Sequence, residues 1–180
     1  AGNFYFNPLI HKKTMVCIAG GSGITPFMSM IREIIECGLD RTVYLFYGNK
    51  TTDDIIFGSE FDRLAERFDN IHYIPVVEEP SGSYGGACGF ITRALMNEVL
   101  ADIENKSFFI CGPQGLYDFC LPQVEEMGVP KRKIKQEMYG APPNVWDYPG
   151  WPAGIGKDSV FSVSVKNGPK IKACATEPLL

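Results

Sequence analysis

Several features that mark common functions are scarce or missing in this 180-residue sequence. It has two histidines, which leaves little room for a histidine-rich metal centre. Its six cysteines include no Cys-x-x-Cys pair, which argues against a clustered metal site and a disulfide framework. The net charge of −4 is opposite in sign to that of a typical nucleic-acid-binding surface. No apolar run reaches the ~18 residues that a membrane-spanning helix needs.

The beginning of the chain is also uninformative about targeting. It starts at Ala1 without an initiator methionine, a charged n-region or an apolar h-region, so no signal peptide is predicted. We therefore expect part of a longer cytoplasmic protein. Its cysteines are expected to be reduced and to serve as small apolar side chains.

What the sequence does contain is a regular alternation of strand and helix patterns. Apolar runs predict five strands, and apolar residues at helical spacing follow each of the first four. This order predicts an α/β fold, a doubly wound five-stranded parallel sheet with helices on both faces. The predicted strands are Thr14–Ala19, Thr42–Tyr47, Ile71–Val77, Ser107–Cys111 and Lys133–Tyr139. The predicted helices contain Phe27–Ile35, Phe61–Phe68, Leu95–Leu100 with Thr92 as N-cap, and Leu116–Val124.

The pattern changes after Gly140, which ends a predicted first domain at residues 1–140. Residues 141–158 are rich in proline and aromatic residues without periodicity, and this composition predicts a linker. Alternating residues then flank Asn167-Gly168, which predicts a β-hairpin. Because a lone hairpin is marginally stable in water, residues 159–180 are expected to open a further, truncated domain.

The strongest local signal is the glycine-rich segment Gly20–Pro26 between the first strand and the first helix. Glycines let a backbone approach a pyrophosphate, and a helix N-terminus offers free N–H groups to it. Pro26 stands where the G-x-G-x-x-G fingerprint has its third glycine, so this is not the dehydrogenase motif. Taken alone, the segment is explained equally well as a tight structural turn.

Two other strand ends carry polar or reactive residues. The loop Gly48–Asp54 follows the second strand, where an adenosine ribose lies in such folds. There Asp54 would accept a bond from a 2′-hydroxyl and repel a 2′-phosphate, whereas Lys50 would favour the phosphate. Cys111 ends the fourth strand before Gly112-Pro113. For either segment alone, a solvated loop or an inert buried thiol is the simpler interpretation.

Together these segments resemble the NAD(P)-binding domain of the ferredoxin–NADP reductase superfamily. Gly20–Pro26 is similar to its G-G-[ST]-G-I-T-P motif, Tyr47–Thr51 and Asp54–Ile55 to its second-strand loop, Gly86–Thr92 to its G-x-x-G-x-[IV]-T segment, and Cys111–Pro113 to its C-G-P element.

The resemblance implies roles for individual residues. The glycine-rich turn would bind pyrophosphate, Thr25 and Cys111 would be the candidate catalytic residues beside the nicotinamide, and Asp54 would favour NADH over NADPH. Tyr139 would cover the flavin. The implied cofactor-binding residues are Gly20, Gly21, Ser22, Gly23, Ile24, Thr25, Pro26, Gly48, Asn49, Lys50, Thr51, Asp54, Cys111, Gly112, Pro113 and Tyr139, with no metal ligand.

The resemblance also implies a larger parent enzyme that passes hydride from NAD(P)H to FAD or FMN. Residues 2–8 resemble the exit from a flavin domain, but the R-x-[YF]-[ST] signature of that domain is absent. Residues 159–180 resemble the opening hairpin of a plant-type [2Fe–2S] ferredoxin without its ligand loop. We therefore expect a flavin domain in the same chain and a downstream electron-acceptor protein, and we expect this segment alone to bind nucleotide without turnover.

Two other interpretations are weighed against this one. An electron-transfer subunit like that of dihydroorotate dehydrogenase would relay electrons within a complex, but such subunits carry a cysteine cluster close behind the nucleotide domain. A flavodoxin-like module would share the doubly wound fold, and flavin bound to the purified chain would identify it.

Overall fold

The computed structural model describes residues 4–138, 145–147, 151–164 and 170–176. Contacts between residues divide the chain into two compact units, Ala1–Tyr139 and Gly140–Leu180. The strands of the first unit are β1 (Thr14–Gly20), β2 (Thr42–Asn49), β3 (Ile71–Val77), β4 (Ala87–Cys88), β5 (Lys106–Gly112) and β6 (Ile134–Met138). Its helices are α1 (Thr25–Glu36), α2 (Gly58–Arg67), α3 (Arg93–Leu100) and α4 (Gln114–Glu126). Short 3-10 turns lie at Gly21–Ile24, Thr52–Asp54 and Lys131–Lys133.

The strands form one sheet in the order β4-β3-β2-β1-β5-β6, and every neighbouring pair is parallel. This confirms the predicted doubly wound α/β class. Over the described residues the sheet has six strands rather than the predicted five, because the two-residue β4 pairs with the end of β3 at the sheet edge. So short a strand leaves no apolar run or alternation in the sequence.

The helices cover both faces of the sheet. On β1, Met15 and Cys17 pack into a core that includes Phe27 of α1 and Phe61 of α2. Val16 and Ile18 point to the opposite face, since side chains alternate along a strand. The second core also contains Met96 and Leu100 from α3 and Cys120 and Val124 from α4.

The topology fixes where a ligand can enter. The chain builds β1, β2 and β3 outward on one side and then returns to place β5 on the other side of β1. The strand order therefore reverses between β1 and β5, and helices leave the carboxyl ends of both strands. In open α/β sheets, ligands bind in the crevice at this reversal point.

The second unit contains an antiparallel hairpin of β7 (Val160–Ser164) and β8 (Lys170–Cys174). A short 3-10 turn lies at Val145–Asp147, and the Trp151 indole donates to the Ile155 carbonyl at 2.9 Å. The predicted turn at Asn167-Gly168 lies outside the described residues. Over the parts of the chain that the structure describes, no helix is long and apolar enough to cross a membrane.

Candidate nucleotide-binding site

The glycine-rich turn presents two different sides. β1 ends at Gly20, a 3-10 turn follows at Gly21–Ile24, and α1 then begins at Thr25. Gly21 has a φ of +51°, and a methyl group there would meet no atom within 4 Å. A methyl group on Gly23 would lie 2.2 Å from the Cys111 carbonyl oxygen. One side of the turn is therefore open, and the other is pressed against the end of β5.

The end of β5 is closely packed in turn. A methyl group on Gly112 would lie 2.7 Å from the Leu116 side chain and 3.1 Å from the Gly20 nitrogen. Cys111 is fully buried, and burial, together with the Glu137 carboxylate, raises the pKa of its thiol to about 12. The thiol is therefore neutral at physiological pH and behaves as a small apolar group.

The loop after β2 is organised by a reciprocal cap. The Thr51 backbone N–H donates to Asp54 Oδ2 at 3.0 Å, and the Thr51 hydroxyl donates to the same oxygen at 2.8 Å. The hydroxyl bond has the largest effect in holding the pKa of the Asp54 carboxyl below its ordinary value, and the backbone bond and the nearby Lys50 charge lower it further. Asp54 therefore carries a fixed negative charge at this edge of the sheet.

Asn49 is the least satisfied polar side chain of the region. Its side chain is 7% exposed, and neither amide atom has a hydrogen-bond partner among the described residues. It lies near the Tyr47 hydroxyl, but the two make no bond of normal geometry. A buried amide without partners costs about 1–3 kcal/mol, so a ligand that supplied those partners would bind favourably here.

These elements surround one cavity of about 550 Å³. Its charged groups are the ammonium of Lys50 and the carboxylates of Asp54 and Glu78. Phe90 and Phe119 are 52% and 39% exposed, and their ring centroids lie 5.1 Å apart. The residues lining the cavity are Gly20, Gly21, Gly48, Asn49, Lys50, Asp54, Ile56, Glu78, Gly89, Phe90, Ile91, Pro113, Gly115, Leu116, Phe119 and Cys120.

Some of the predicted cofactor-binding residues line this cavity, and others support it. Those in the lining are Gly20, Gly21, Gly48, Asn49, Lys50, Asp54 and Pro113. Gly23 and Gly112 instead set the spacing between the turn and β5, and Thr51 orients Asp54. Ile24 is buried, Pro26 occupies the first turn of α1, and the Ser22 backbone carbonyl accepts a bond from the Thr25 hydroxyl at 3.2 Å. Tyr139 lies outside the described residues.

The two predicted catalytic residues lie at the ends of neighbouring elements. Thr25 is the exposed first residue of α1, whereas Cys111 is buried on β5 and pairs in register with Ala19. Neither residue is in the cavity lining. Their roles beside a nicotinamide stay predictions.

The site prediction missed residues in the segment after β3, in the segment after β4 and in α4. Glu78 follows β3, where its backbone N–H donates to the Asn49 carbonyl at 3.1 Å. Phe90 and Ile91 belong to Gly86–Thr92, a segment whose family resemblance could have placed them in the site. Phe119 sits within the helical pattern that predicted α4, so no separate signal marked it as cavity lining.

Among its described residues, 145–147, 151–164 and 170–176, the second unit presents no comparable polar site. Cys174 ends β8, and its thiol contacts the Lys157 carbonyl oxygen at 3.1 Å. Among the described residues of the whole chain, no group of three or more His, Cys, Asp or Glu side chains could hold a metal ion.

An open parallel sheet with a glycine-rich turn, a capped carboxylate loop and a cavity at its reversal point defines a dinucleotide-binding domain. Residues 17–121 match the family model of the oxidoreductase NAD-binding domain. The chain belongs to this family, which confirms the predicted relationship for its nucleotide-binding part.

Named relatives of this chain are oxidoreductases. The plasma membrane-associated coenzyme Q6 reductase of Saccharomyces cerevisiae is 38% identical over 119 residues, which cover 65% of this chain and 38% of the relative. NADH-cytochrome b5 reductase 2 of Scheffersomyces stipitis is 37% identical over 108 residues, or 58% of this chain and 36% of the relative. A solved structure of the CS-b5R domains of human Ncb5or, in its NAD+ form, has a TM-score of 0.67 at 26% identity and covers 76% of this chain and 39% of that one. The chain thus spans less than half the length of each.

Proposed function

We propose that this chain is the NADH-binding domain of a flavin-dependent oxidoreductase. The observation that carries the proposal is the cavity at the β1–β5 reversal point, which joins the open glycine turn to a fixed carboxylate and a buried amide without partners. The family membership and the NAD+ form of the Ncb5or structure support a pyridine nucleotide as the ligand.

In this proposal the adenosine diphosphate half of the nucleotide fills the cavity. The pyrophosphate lies over Gly21, where no side chain blocks the backbone and the N-terminus of α1 favours negative charge. The ribose hydroxyls reach Asp54 and Asn49, which supply a charged acceptor and an amide. The adenine ring packs on the exposed faces of Phe90 and Phe119, because aromatic side chains stack on any base.

The charges of the cavity favour NADH over NADPH. Asp54 and Glu78 outnumber Lys50, so an added 2′-phosphate would meet a net negative environment. Asp54 is the acidic position that the family resemblance associates with NADH, and Glu78 adds a second carboxylate to the same cavity.

The nicotinamide end is proposed to lie along Thr25 and Cys111–Pro113. Here the chain offers backbone and small side chains instead of acid–base groups, which suits direct hydride transfer between cofactors. The flavin, FAD or FMN, would accept the hydride in a domain of the same parent protein. Tyr139 remains the proposed residue that covers this flavin.

The proposal extends to the rest of the parent enzyme. The relatives are longer than this chain and are named as NADH-cytochrome b5 and coenzyme Q6 reductases, which supports onward transfer to an electron-acceptor partner. The hairpin β7–β8 is compatible with the start of a ferredoxin-like domain, whose [2Fe–2S] cluster would accept electrons one at a time. Iron and acid-labile sulfide in the purified parent protein would test this part.

An electron-transfer subunit like that of dihydroorotate dehydrogenase remains the alternative. It would require a cysteine cluster in another part of the parent protein, because the six cysteines of this chain all stand at described positions and form no such group. Copurification of the parent protein with a second catalytic subunit would favour the alternative, and single-subunit turnover of an added acceptor would favour the main proposal.

A cytoplasmic location is also a proposal. Cys17, Cys37, Cys88, Cys111 and Cys120 are free thiols, as expected in a reducing compartment. The yeast relative is named as plasma membrane-associated, so fractionation of cells into membrane and cytosolic pools is the deciding measurement.

The main test is a calorimetric titration of this chain with NAD+ and NADP+. We expect NAD+ to bind and NADP+ to bind more weakly, and we expect no oxidation of NADH until a flavoprotein partner is added. Phe90→Ala should weaken NAD+ binding about 10-fold, the effect of losing one base-stacking contact. Phe161→Ala is the matched control, since Phe161 is 43% exposed on β7 outside the cavity.

Absence of binding by either nucleotide, or equal effects of the two phenylalanine substitutions, would contradict the proposed site. NADH oxidation by the chain alone, together with flavin bound to the purified protein, would point instead to a flavin-binding module.

A further inference from the structure

Tyr47 is a fully buried residue of β2 whose hydroxyl joins two separate segments. The hydroxyl donates to the Gly21 carbonyl at 3.1 Å and accepts from the Ile56 backbone N–H at 3.2 Å. Gly21 and Ile56 are 35 residues apart along the chain, and the Tyr47 hydroxyl is hydrogen-bonded to both.

Both partners belong to walls of the nucleotide cavity. Gly21 is the open glycine of the turn proposed to hold pyrophosphate, and Ile56 follows Asp54 by two residues in the loop proposed to hold the ribose. Tyr47 itself is absent from the cavity lining. Its hydroxyl therefore lies behind the cavity and bridges its two walls.

We infer that Tyr47 is a positioning residue that sets the distance between the pyrophosphate turn and the ribose-binding loop. The inference rests on the proposed function. A ligand that spans both walls gains from a fixed distance between them, because less conformational freedom is lost on binding. A ligand that touches only one wall does not gain in this way.

The chemistry of the hydroxyl suits a permanent bridge. Burial raises its pKa, so it stays protonated and keeps its donated bond to the Gly21 carbonyl across the physiological range. It uses one donor and one acceptor site at the same time, which a phenylalanine ring of the same shape cannot do. Tyr47→Phe thus removes the bridge while retaining the packing of the ring.

The experiment compares a spanning ligand with two single-wall probes on the full chain. ADP-ribose contacts both walls, whereas adenosine and inorganic pyrophosphate each contact one. For Tyr47→Phe we expect ADP-ribose to bind about 3- to 10-fold more weakly, the range for one net hydrogen bond. Calorimetry measures the affinity for ADP-ribose, and chemical-shift titration measures the affinities for the two weaker probes. We expect these two affinities to change by no more than about twofold.

Tyr44→Phe is the matched control. Tyr44 lies on the same strand, but its ring stacks on His72 at 4.3 Å, and it does not line the cavity. This substitution should leave the affinity for all three ligands unchanged. Thermal unfolding of both variants checks that each is folded, and amide exchange at Ile56 should accelerate in Tyr47→Phe alone.

The outcomes separate the inference from the proposed function. If the wild-type chain binds ADP-ribose and Tyr47→Phe binds it equally well, or if the probes weaken as much as ADP-ribose does, the positioning role is wrong and the proposed function stands. If the wild-type chain binds none of the three ligands, the proposed function and the inference both fail.

Discussion

The two halves of the candidate site are built differently. The half formed by Gly21, Asn49, Asp54 and Phe90 is an open cavity with polar groups already in place. In the half formed by Gly23 and the end of β5, backbone lies so close to backbone that a single methyl group would not fit. The first half presents side chains to a ligand, and the second presents little beyond a packed surface.

This difference indicates that the two halves contribute differently to nucleotide binding. In the proposed enzyme, the cavity binds the adenosine diphosphate portion without the flavin domain, because its orienting groups are fixed by local bonds such as the Thr51–Asp54 cap. A packed surface cannot enclose a nicotinamide ring by itself. In the proposed enzyme, the opposite wall of that half belongs to the flavin domain.

The first prediction tests the packed half and has the largest expected effect. Gly23→Ala should destabilise the first unit by about 2–4 kcal/mol, because the backbone of β5 must move to admit the methyl group. Urea unfolding followed by helical circular dichroism measures this, since the described α-helices all lie in the first unit.

Gly115→Ala is the control for this substitution. Gly115 lies in the first turn of α4, and a methyl group there meets no atom within 4 Å. We expect it to be neutral or to stabilise by up to about 1 kcal/mol, the helical preference of alanine over glycine. Equal urea-unfolding midpoints for Gly23→Ala and the wild type would show that the half of the site formed by Gly23 and the end of β5 is not closely packed.

The second prediction tests the open half through binding. Gly21→Ala should weaken NAD+ binding about 10- to 100-fold, equivalent to losing a hydrogen bond to a charged group, because the methyl group keeps the pyrophosphate away from the backbone. Gly38→Ala is the matched control, since Gly38 has a similar φ of +59° and equally open surroundings outside the cavity.

Both alanine substitutions should lower stability by about 1 kcal/mol, because both place a side chain in the left-handed region. Only Gly21→Ala should alter the dissociation constant of NAD+. Equal losses of affinity in the two variants would mean that strain, rather than access to the backbone, controls binding.

The third prediction concerns charge and has the smallest expected effect. Asp54→Asn should reduce the preference for NAD+ over NADP+ about 3- to 10-fold, as expected for removing one partly screened charge. Asp53→Asn is the control, because Asp53 is the exposed neighbour that does not line the cavity. Calorimetric dissociation constants for both nucleotides provide the ratio.

The Asp54 carboxylate also determines how NAD+ affinity depends on pH. The pKa of Asp54 is lowered in the folded chain, so its contribution to loop stability is present above the ordinary carboxyl value and is lost only as pH falls through the lower folded value. NAD+ affinity should therefore stay constant from about pH 8 to about pH 5. A decline centred near the ordinary carboxyl pKa would show that Thr51 does not hold this group ionised.

Much of this fold could be predicted because its signals are local. Apolar runs located the five long strands, Gly20–Pro26 marked the first turn, and Thr92 is indeed the N-cap of α3, accepting from the Leu95 N–H at 3.2 Å. Such features depend on residues close together in the chain, so composition and spacing record them.

The remaining features arise from pairings between distant segments. The short strand β4 exists because it meets the end of β3, and Glu78 enters the cavity because the chain after β3 pairs with Asn49. The bridging role of Tyr47 depends on the distance between a turn and a loop. No periodicity in one segment encodes a distance to another, so these features required the folded structure.

The burial of Cys111 has a consequence for chemical durability. Oxidants attack the thiolate form of cysteine. With a pKa of about 12 and no exposed surface, Cys111 has almost no thiolate at physiological pH and is out of reach of solvent oxidants. Cys37 and Cys88 are exposed, so peroxide would reach these thiols first. If the proposed role of Cys111 beside the nicotinamide is right, the sulfur at that reaction centre is thus kept in the form least open to oxidation.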